Sequence, residues 1–463
     1  MSERTAGGLK ELWMISFPLM ISCLFTYLTM FIERCFITYY SLDALNAIVN
    51  ASTFCWGLLG GTAAMAGMTE IFVAQFNGAG HKKYIGESVW QMIWFSLLTS
   101  LVFIPLGLFG PDLFYQKNSM EASYFRWVMC FGAFQPLSYA LTTFFVGRKQ
   151  VKWITVLALS STIFNALLDA LLIFGLKGWI PELGVKGAAI ANCISLSLQA
   201  AILMVFFLRK HNREMCGTGN WKPDPKAFWK SCRFTVPPAI LYNVELLGWS
   251  FFYWMMTSVS HIHITIASLC QSLILLFSFF GDGIGRGASV LANNYLGAGD
   301  KKLVSDVLRS ASLILILFFT AQALLLCFNP NLFIKSFLPI DENIELLTGS
   351  LEVCLWFVLV FLLFQGFQWT LSAILYANGE TFFVMIAGSC SIFCFLLFPT
   401  YLFVVKKGIS PHYAWALVAF YGLSSSILYW WRFRQKCYKQ PAGIIRPMSS
   451  TCMVKELQET SRI

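Results

Sequence analysis

Long apolar stretches separated by short polar connectors run along almost the whole chain. Residues 12–32 and 87–111 are typical, with at most one carboxylate, at the edge. Each such stretch is long enough to cross a hydrocarbon core of about 30 Å as a helix. The alternation of polar and apolar positions that a membrane barrel needs is absent. The pattern predicts an all-α integral membrane protein with twelve spans, near 12–38, 51–75, 88–110, 122–147, 153–176, 187–209, 231–258, 264–296, 304–328, 346–377, 381–405 and 411–432. The first apolar run is too long for a signal peptide and lacks a small-residue cleavage site, so it is expected to remain as span 1.

Two segments repeat. Residues 74–83 contain GlyAlaGlyHisLysLys and residues 293–302 contain GlyAlaGlyAspLysLys, 219 residues apart. Pro18 and Pro237 are separated by the same interval. A fixed offset at two landmarks implies an internal duplication. The expected organisation is a six-helix lobe over 1–209, a cytoplasmic linker over 210–230, a second six-helix lobe over 231–436 and a polar cytoplasmic tail over 437–463, the lobes being pseudo-symmetric about a central cleft. In a chain this apolar, such a duplication points to a transporter. The repeated glycines at 78, 80, 297 and 299 suit a tight exit from a span. No strand–helix context accompanies them, so a phosphate-cradling loop is not expected.

The connectors set the expected orientation. Lys82 and Lys83, then Arg148, Lys149 and Lys152, the 209–233 segment, Lys301 with Lys302, and the tail are basic. The alternate connectors hold Asp43, Asp112, Glu121, Glu182, Asp341, Glu342 and Glu345 beside Lys117, Lys177 and Lys186; Lys406 and Lys407 are the exception. The positive-inside rule then places both termini in the cytoplasm, as expected for a multi-pass protein of a bacterial inner membrane.

Composition agrees. Hydrophobic residues make up 57% of the chain and charged residues 12%, against about 25% charged in soluble proteins. The net charge of +10 is read as topogenic, which argues against nucleic acid as a partner; the lipid bilayer is the expected environment and a monomer the expected state. The 14 cysteines show no metal-type spacing, and those within spans, such as Cys23, Cys130, Cys193, Cys390 and Cys394, are expected in the core. With five histidines and no clustered His/Asp set, a membrane-embedded enzyme is disfavoured, and no cofactor is expected.

Ionisable residues inside the spans carry the candidate chemistry, because each costs about 2.5–3.5 kcal/mol at mid-bilayer. Glu33 lies ~30 Å up span 1 and Asp169 ~24 Å up span 5, while Asn192 lies ~8 Å below the outer surface in span 6. The three share a level in the outer half of the first lobe. Asn165 precedes Asp169 by one helical turn and points the same way. Two carboxylates and two amide oxygens make a site for a hard cation, and equally one for a proton. A surface pairing of Glu33 with its neighbour Arg34, and a packing hydrogen bond for Asp169, are the plain alternatives. Glu245 lies near mid-depth in span 7. Asp282 and Arg286, spaced i, i+4 in span 8, can neutralise each other; Glu70 holds the matching place in span 2, and the three could form a cytoplasmic gate.

LeuAspAlaLeuLeuIlePheGly at 168–175, GluLeuGlyValLysGlyAlaAlaIleAla at 182–191, ValAlaGlnPheAsnGlyAlaGly at 73–80 with its echo at 292–299, and Gln135, Gln271 and Gln368 resemble the multidrug and toxic compound extrusion (MATE) family, over nearly the whole chain. The resemblance implies an antiporter that exports organic cations or amphipathic compounds in exchange for H+ or Na+ by alternating access. It also implies roles for particular residues. Glu33, Asn165, Asp169 and Asn192 fall at the family's cation-coupling positions, with Glu and Asn at 33 and 192 where Asp and Thr are common. Pro18 is the bending residue of span 1. Glu245, Gln271, Tyr139, Trp249, Tyr253 and Trp369 lie on cleft-lining spans, as substrate or second-lobe coupling residues; Gln365 stands where one branch has a second acid. Lipid-linked glycan flippases of the same superfamily, or a dedicated metabolite exporter, are the alternative, although a flippase cleft should be basic and the candidates here are acidic.

Overall fold

A computed structural model of the chain describes residues 7–176, 179–328 and 344–437. Lys177, Asp341, Glu342 and the tail from 438 onward lie outside the described residues. Every expected span coincides with helix. The elements are α1 (Leu9–Tyr40), α2 (Leu42–Gly67), α3 (Thr69–Gly78), α4 (Lys83–Phe109), α5 (Pro111–Phe114), α6 (Met120–Cys130), α7 (Phe134–Gly147), α8 (Val151–Phe174), α9 (Val185–Phe207), α10 (Lys210–Cys216), α11 (Pro225–Val259), α12 (His261–Ala298), α13 (Lys301–Phe328), α14 (Ile344–Ala377), α15 (Thr381–Ser391) and α16 (Pro411–Arg432). Among the described residues the β structure is one isolated bridge, Leu176 to Ile180.

Helix is the outcome because hydrocarbon offers no partner to a backbone N–H or C=O, and only a helix satisfies both within one segment. Nine helices among the described residues are long and apolar enough to cross a membrane, or ten when α6 and α7, bent by 44° at their junction, count as one. α11 and α16 stand at the two remaining expected positions. α15 continues through π-helical turns at Ile392–Leu397 and Thr400–Val405. Helix surfaces are apolar outward: Leu101 is 72% exposed, Leu317 68% and Phe398 62%. Such a surface suits lipid and not water. Cys390 and Cys394 share it and are exposed, which corrects their expected place in the core. Inside a lipid-facing helix a thiol is apolar enough to need no burial by protein.

The chain forms two compact units. One contains Leu24–Ala239 and Asn293–Lys301; the other contains Ile240–Ala292 with the described parts of Met1–Cys23 and Lys302–Ala442. Their boundaries run through α1, α11 and α12. In the first unit Ile37, Ile48, Phe125, Met129 and Ile173 form the main core cluster; in the second, Phe252, Phe361 and Trp415 are central. The segment after α9 is folded onto α4. Trp90 and Trp94 donate their indole N–H groups to the carbonyls of Thr218 (2.8 Å) and Trp221 (3.0 Å), and Thr218 Oγ1 donates to Phe207 O at 2.9 Å.

The repeated motif has a packing role. The ends of α3 and α12 meet within the first unit. A Cβ at Gly78 would overlap the carbonyl of Asn294, and one at Gly297 would overlap the carbonyl of Gln75. Residues 75 and 294 are themselves 219 apart, so the two copies touch through equivalent atoms. Amides seal the crossing: Gln75 Nε2 donates to Asn293 Oδ1 (2.9 Å), Asn77 Nδ2 to Asn294 Oδ1 (2.7 Å), and Asn294 Nδ2 to Gly147 O (3.0 Å). Gly80 and Gly299, with φ of 80° and 86°, supply the left-handed turn after each helix. Thus only Gly80 and Gly299 serve the tight exit; Gly78 and Gly297 serve close approach, as small residues do between membrane helices.

Overpacking of this kind typically costs about 1–3 kcal/mol. Gly78→Val and Gly297→Val are each expected to lower the unfolding midpoint of the detergent-purified protein. Gly57→Ala, where nothing lies within 4 Å of the added methyl, should leave it unchanged. Equal midpoints for all three would remove the crossing from the packing of the fold.

Candidate functional site

The C-terminal half of α1, with α6, α8 and α9, builds a polar cluster inside the first unit. Glu33 comes from α1, Tyr124 from α6, Asn165 and Asp169 from α8, and Asn192 and Ser195 from α9. Two threonines fasten α1 to α8 one turn below Glu33. Thr29 Oγ1 and Thr162 Oγ1 are 2.8 Å apart, and both donate to Phe25 O, at 2.9 and 3.2 Å. This contact sets the helical register that brings Glu33 level with Asn165 and Asp169.

A chain of amides links the acids. Asn192 Nδ2 donates to Glu33 Oε1 at 2.9 Å. Asn165 Nδ2 donates to Asn192 Oδ1 at 3.1 Å and to Ser195 Oγ at 3.3 Å. The Tyr124 hydroxyl lies within reach of Glu33 and Asn192. Glu33 is buried while Arg34 is exposed, so Glu33 faces the unit's interior and is not a snorkelling surface acid. Asp169 is fully buried, and neither of its carboxylate oxygens accepts a hydrogen bond. The plain reading of Asp169 as a helix-packing hydrogen-bond partner therefore fails. Asn165 Oδ1 is likewise buried without a donor. Asp169 and Glu33 are close enough for their charges to interact.

All four residues expected at the first-lobe site are thus brought together. Tyr124 and Ser195 escaped the sequence reading. Ser195 follows Asn192 by three on the same helix, a spacing that places it on the same face. Tyr124 carries no such signal, because only the packing of α6 on α9 brings it there.

Glu245 lies in the second unit, on α11, in a tyrosine-rich setting. Its charge is within reach of Tyr376, Tyr421 and Tyr429. Gln368 is hydrogen-bonded to Tyr421 and Tyr429, and the Tyr429 hydroxyl also donates to Val384 O at 3.3 Å. Gln365 Oε1 is buried without a donor. The polar groups around Glu245 are therefore tyrosines that the sequence had not singled out. Trp249 and Tyr253 stack with ring centroids 6.0 Å apart against the core of that unit. Trp369 packs against Gly281 and Gly285 of α12, Gln271 is exposed on the same helix, and Tyr139 sits beside Gly67 in the first unit. Asp282 and Arg286 converge on a thiol from α1: Cys23 Sγ donates to Asp282 Oδ2 at 3.1 Å, and Arg286 Nη1 is 3.9 Å from the same sulfur. Glu70 is buried in the first turn of α3. Pro18 lies inside α1, which continues as helix through it, with its carbonyl accepting from Ser22 Oγ at 3.0 Å.

The fold is that of a membrane transporter. It superposes on a MOP superfamily transporter from Pyrococcus furiosus with a TM-score of 0.81 and 16% identity, over 93% of this chain and 97% of that one. In sequence the chain is 21% identical over 393 residues to the probable multidrug resistance protein NorM of Thermotoga maritima, covering 83% of each. It is 23% identical to the probable multidrug resistance protein YoeA of Bacillus subtilis, over 73% of this chain and 74% of that protein. The MatE family model matches residues 18–171 and again 238–402. The chain belongs to the MatE family, and is a transporter rather than an enzyme. That one family model matches both halves, from Pro18 and from Pro238, agrees with the internal duplication.

The Glu33–Asn192 bond is testable on its own. Buried side-chain bonds in membrane proteins are worth about 0.6–1.7 kcal/mol. A double-mutant cycle of Glu33→Leu and Asn192→Leu, read by unfolding in detergent, should return a coupling of that size. A coupling of zero would dissolve the amide chain as an energetic unit.

Proposed function

We propose that the protein is a multidrug efflux antiporter that exports organic cations or amphipathic compounds in exchange for H+ or Na+ by alternating access, and that it works in a bacterial inner membrane with both termini in the cytoplasm. The observation that carries the coupling site is Asp169: a fully buried acid in a membrane helix, with no hydrogen-bond donor on either oxygen. Burying an unpaired ionised carboxylate is costly, so the site favours a partner that neutralises it. A proton or a small hard cation meets that need. Asp169 Oδ1 and Oδ2 and Asn165 Oδ1 are three unpartnered buried oxygens one turn apart on α8, and oxygen is the ligand such cations take.

The coupling follows from charge. Glu33, held by Asn192, and Asp169 together place up to two negative charges in one buried cluster. Neutralising them removes the repulsion between α1 and α8 and the attraction for a positively charged substrate. Because the external cation and the exported compound draw on the same charge, each weakens the other's binding by the same factor. Pro18 lacks the N–H that would bond the preceding turn, which lowers the resistance of α1 to bending there. Glu245 among its tyrosines provides a second acidic position with aromatic surface, a setting that attracts organic cations.

In vesicles loaded with ethidium, with a proton or Na+ gradient imposed separately, wild type should move dye under one gradient. Asp169→Asn should insert normally and lose gradient-driven movement. Wild-type transport in that variant would remove Asp169 from the coupling site. Wild type that folds yet moves dye under neither gradient would favour a flippase or a narrower exporter.

A further inference from the structure

Two cavities open at the end of the first unit where α1 finishes and α6 and α9 begin. One, of about 600 Å³, is lined by Tyr40, Ser123, Glu182 and Lys186 among others. The other, of about 490 Å³, is lined by Asp43, Asn46, Asn50 and Glu121. They share Asn118, Ser119 and Met120, so they flank the start of α6 and are treated together as the depression there. Its walls carry three carboxylates and one ammonium.

Three of the four helices that wall the depression, α1, α6 and α9, also supply the buried cluster, and the helical register joins the two. On α1, Tyr40, Ile37 and Glu33 follow at steps of three and four, which keeps them on one face. On α9, Val185, Ala188, Ala189 and Asn192 do the same. On α6, Met120 at the depression is one turn from Tyr124 at the cluster. Between floor and cluster stand Ile37, Ala188 and Ala189, each with no exposed surface. From Tyr40 to Glu33 and from Val185 to Asn192 is two helical turns, about 10 Å, and from Met120 to Tyr124 about one. At the mouth the Tyr40 hydroxyl reaches the Glu182 carboxylate. Gly184 makes room for it, since a Cβ there would lie 2.9 Å from the Tyr40 ring.

We propose that this depression is a port through which the coupling cation reaches Glu33 from the outer side within the first unit, with Ile37, Ala188 and Ala189 as its apolar gate and Tyr40 as its flap. The inference rests on the coupling role proposed for Glu33 and Asp169. An acidic rim concentrates small cations, and an apolar constriction blocks them until it wets.

Glu182 tests the port because it lies in an exposed loop outside the cluster. In vesicles at low ionic strength, half-saturation for the coupling cation should rise about three- to tenfold in Glu182→Lys and by less in Glu182→Gln. The maximal rate should be retained. The difference should shrink when an inert salt raises the ionic strength and screens the rim. A loss of fold would lower the maximal rate and ignore salt, whereas a port effect does neither. Ile37→Ala, which thins the gate, should allow a cation leak without exported compound, suppressed by Glu33→Gln in the same chain. Unchanged half-saturation in both Glu182 variants, with coupling intact in wild type and lost in Glu33→Gln, would overturn the port and leave the coupling site standing. Coupling that survives Glu33→Gln would overturn the coupling site, and the port with it.

Discussion

Hydrocarbon leaves a polar group nowhere to turn except to another part of the protein. This constraint makes the backbone helical throughout and then acts again on the side chains. An amide, hydroxyl or carboxyl inside a span is costly unless it finds a partner, and a partner on a neighbouring helix sets how the two helices lie. The threonines at 29 and 162 hold α1 against α8 in this way. The amides at 75, 77, 293 and 294 do the same for α3 and α12.

Several buried groups lack a partner, Gln91 and Gln365 Oε1 among them; Asp169 differs from these in being an acid that can carry charge. Its neighbours have partners: Asn192 bonds Glu33, and Asn165 Nδ2 bonds Asn192 and Ser195, although Asn165 Oδ1 also lacks a donor. Asp169, packed among them, has no donor. In an apolar medium an acid left this way calls for a neutralising partner, the part that the proposed coupling cation would play. The same reasoning separates Asp169 from the acid at Glu380, whose carboxylate is held by Arg432 at 2.6 Å near the surface.

The duplication explains why the repeated motif occurs twice and why it is rich in glycine. Two copies of one helix end, crossing each other, present equivalent atoms at their contact. A residue that must be small for one copy must then be small for the other, as Gly78 and Gly297 are. The compact units nonetheless do not follow the sequence halves. The first part of α1 packs with the later helices and the end of α12 with the earlier ones, so the halves of the sequence are interleaved in space at these helices.

Much was legible in the chain itself. Helical spans follow from run length, because about 20 apolar residues can satisfy their backbone in a membrane only as helix. The level shared by Glu33, Asp169 and Asn192 follows from the fixed rise of a helix, and the Asn165–Asp169 pair from its turn. What remained hidden was set by contacts between helices. Tyr124 reaches Glu33 only because α6 packs on α9. Cys23 meets Asp282 across 259 positions of sequence. The tyrosines around Glu245 come from α14 and α16, far along the chain. Buried spans are apolar all round, so no periodicity marks which face meets which neighbour. The sequence by itself determined which segments enter the membrane and how deep their charges lie, since both depend on local hydrophobicity and helical rise. Only the tertiary structure decided which of those charges are partnered, since that depends on side chains that the chain's length alone cannot bring together.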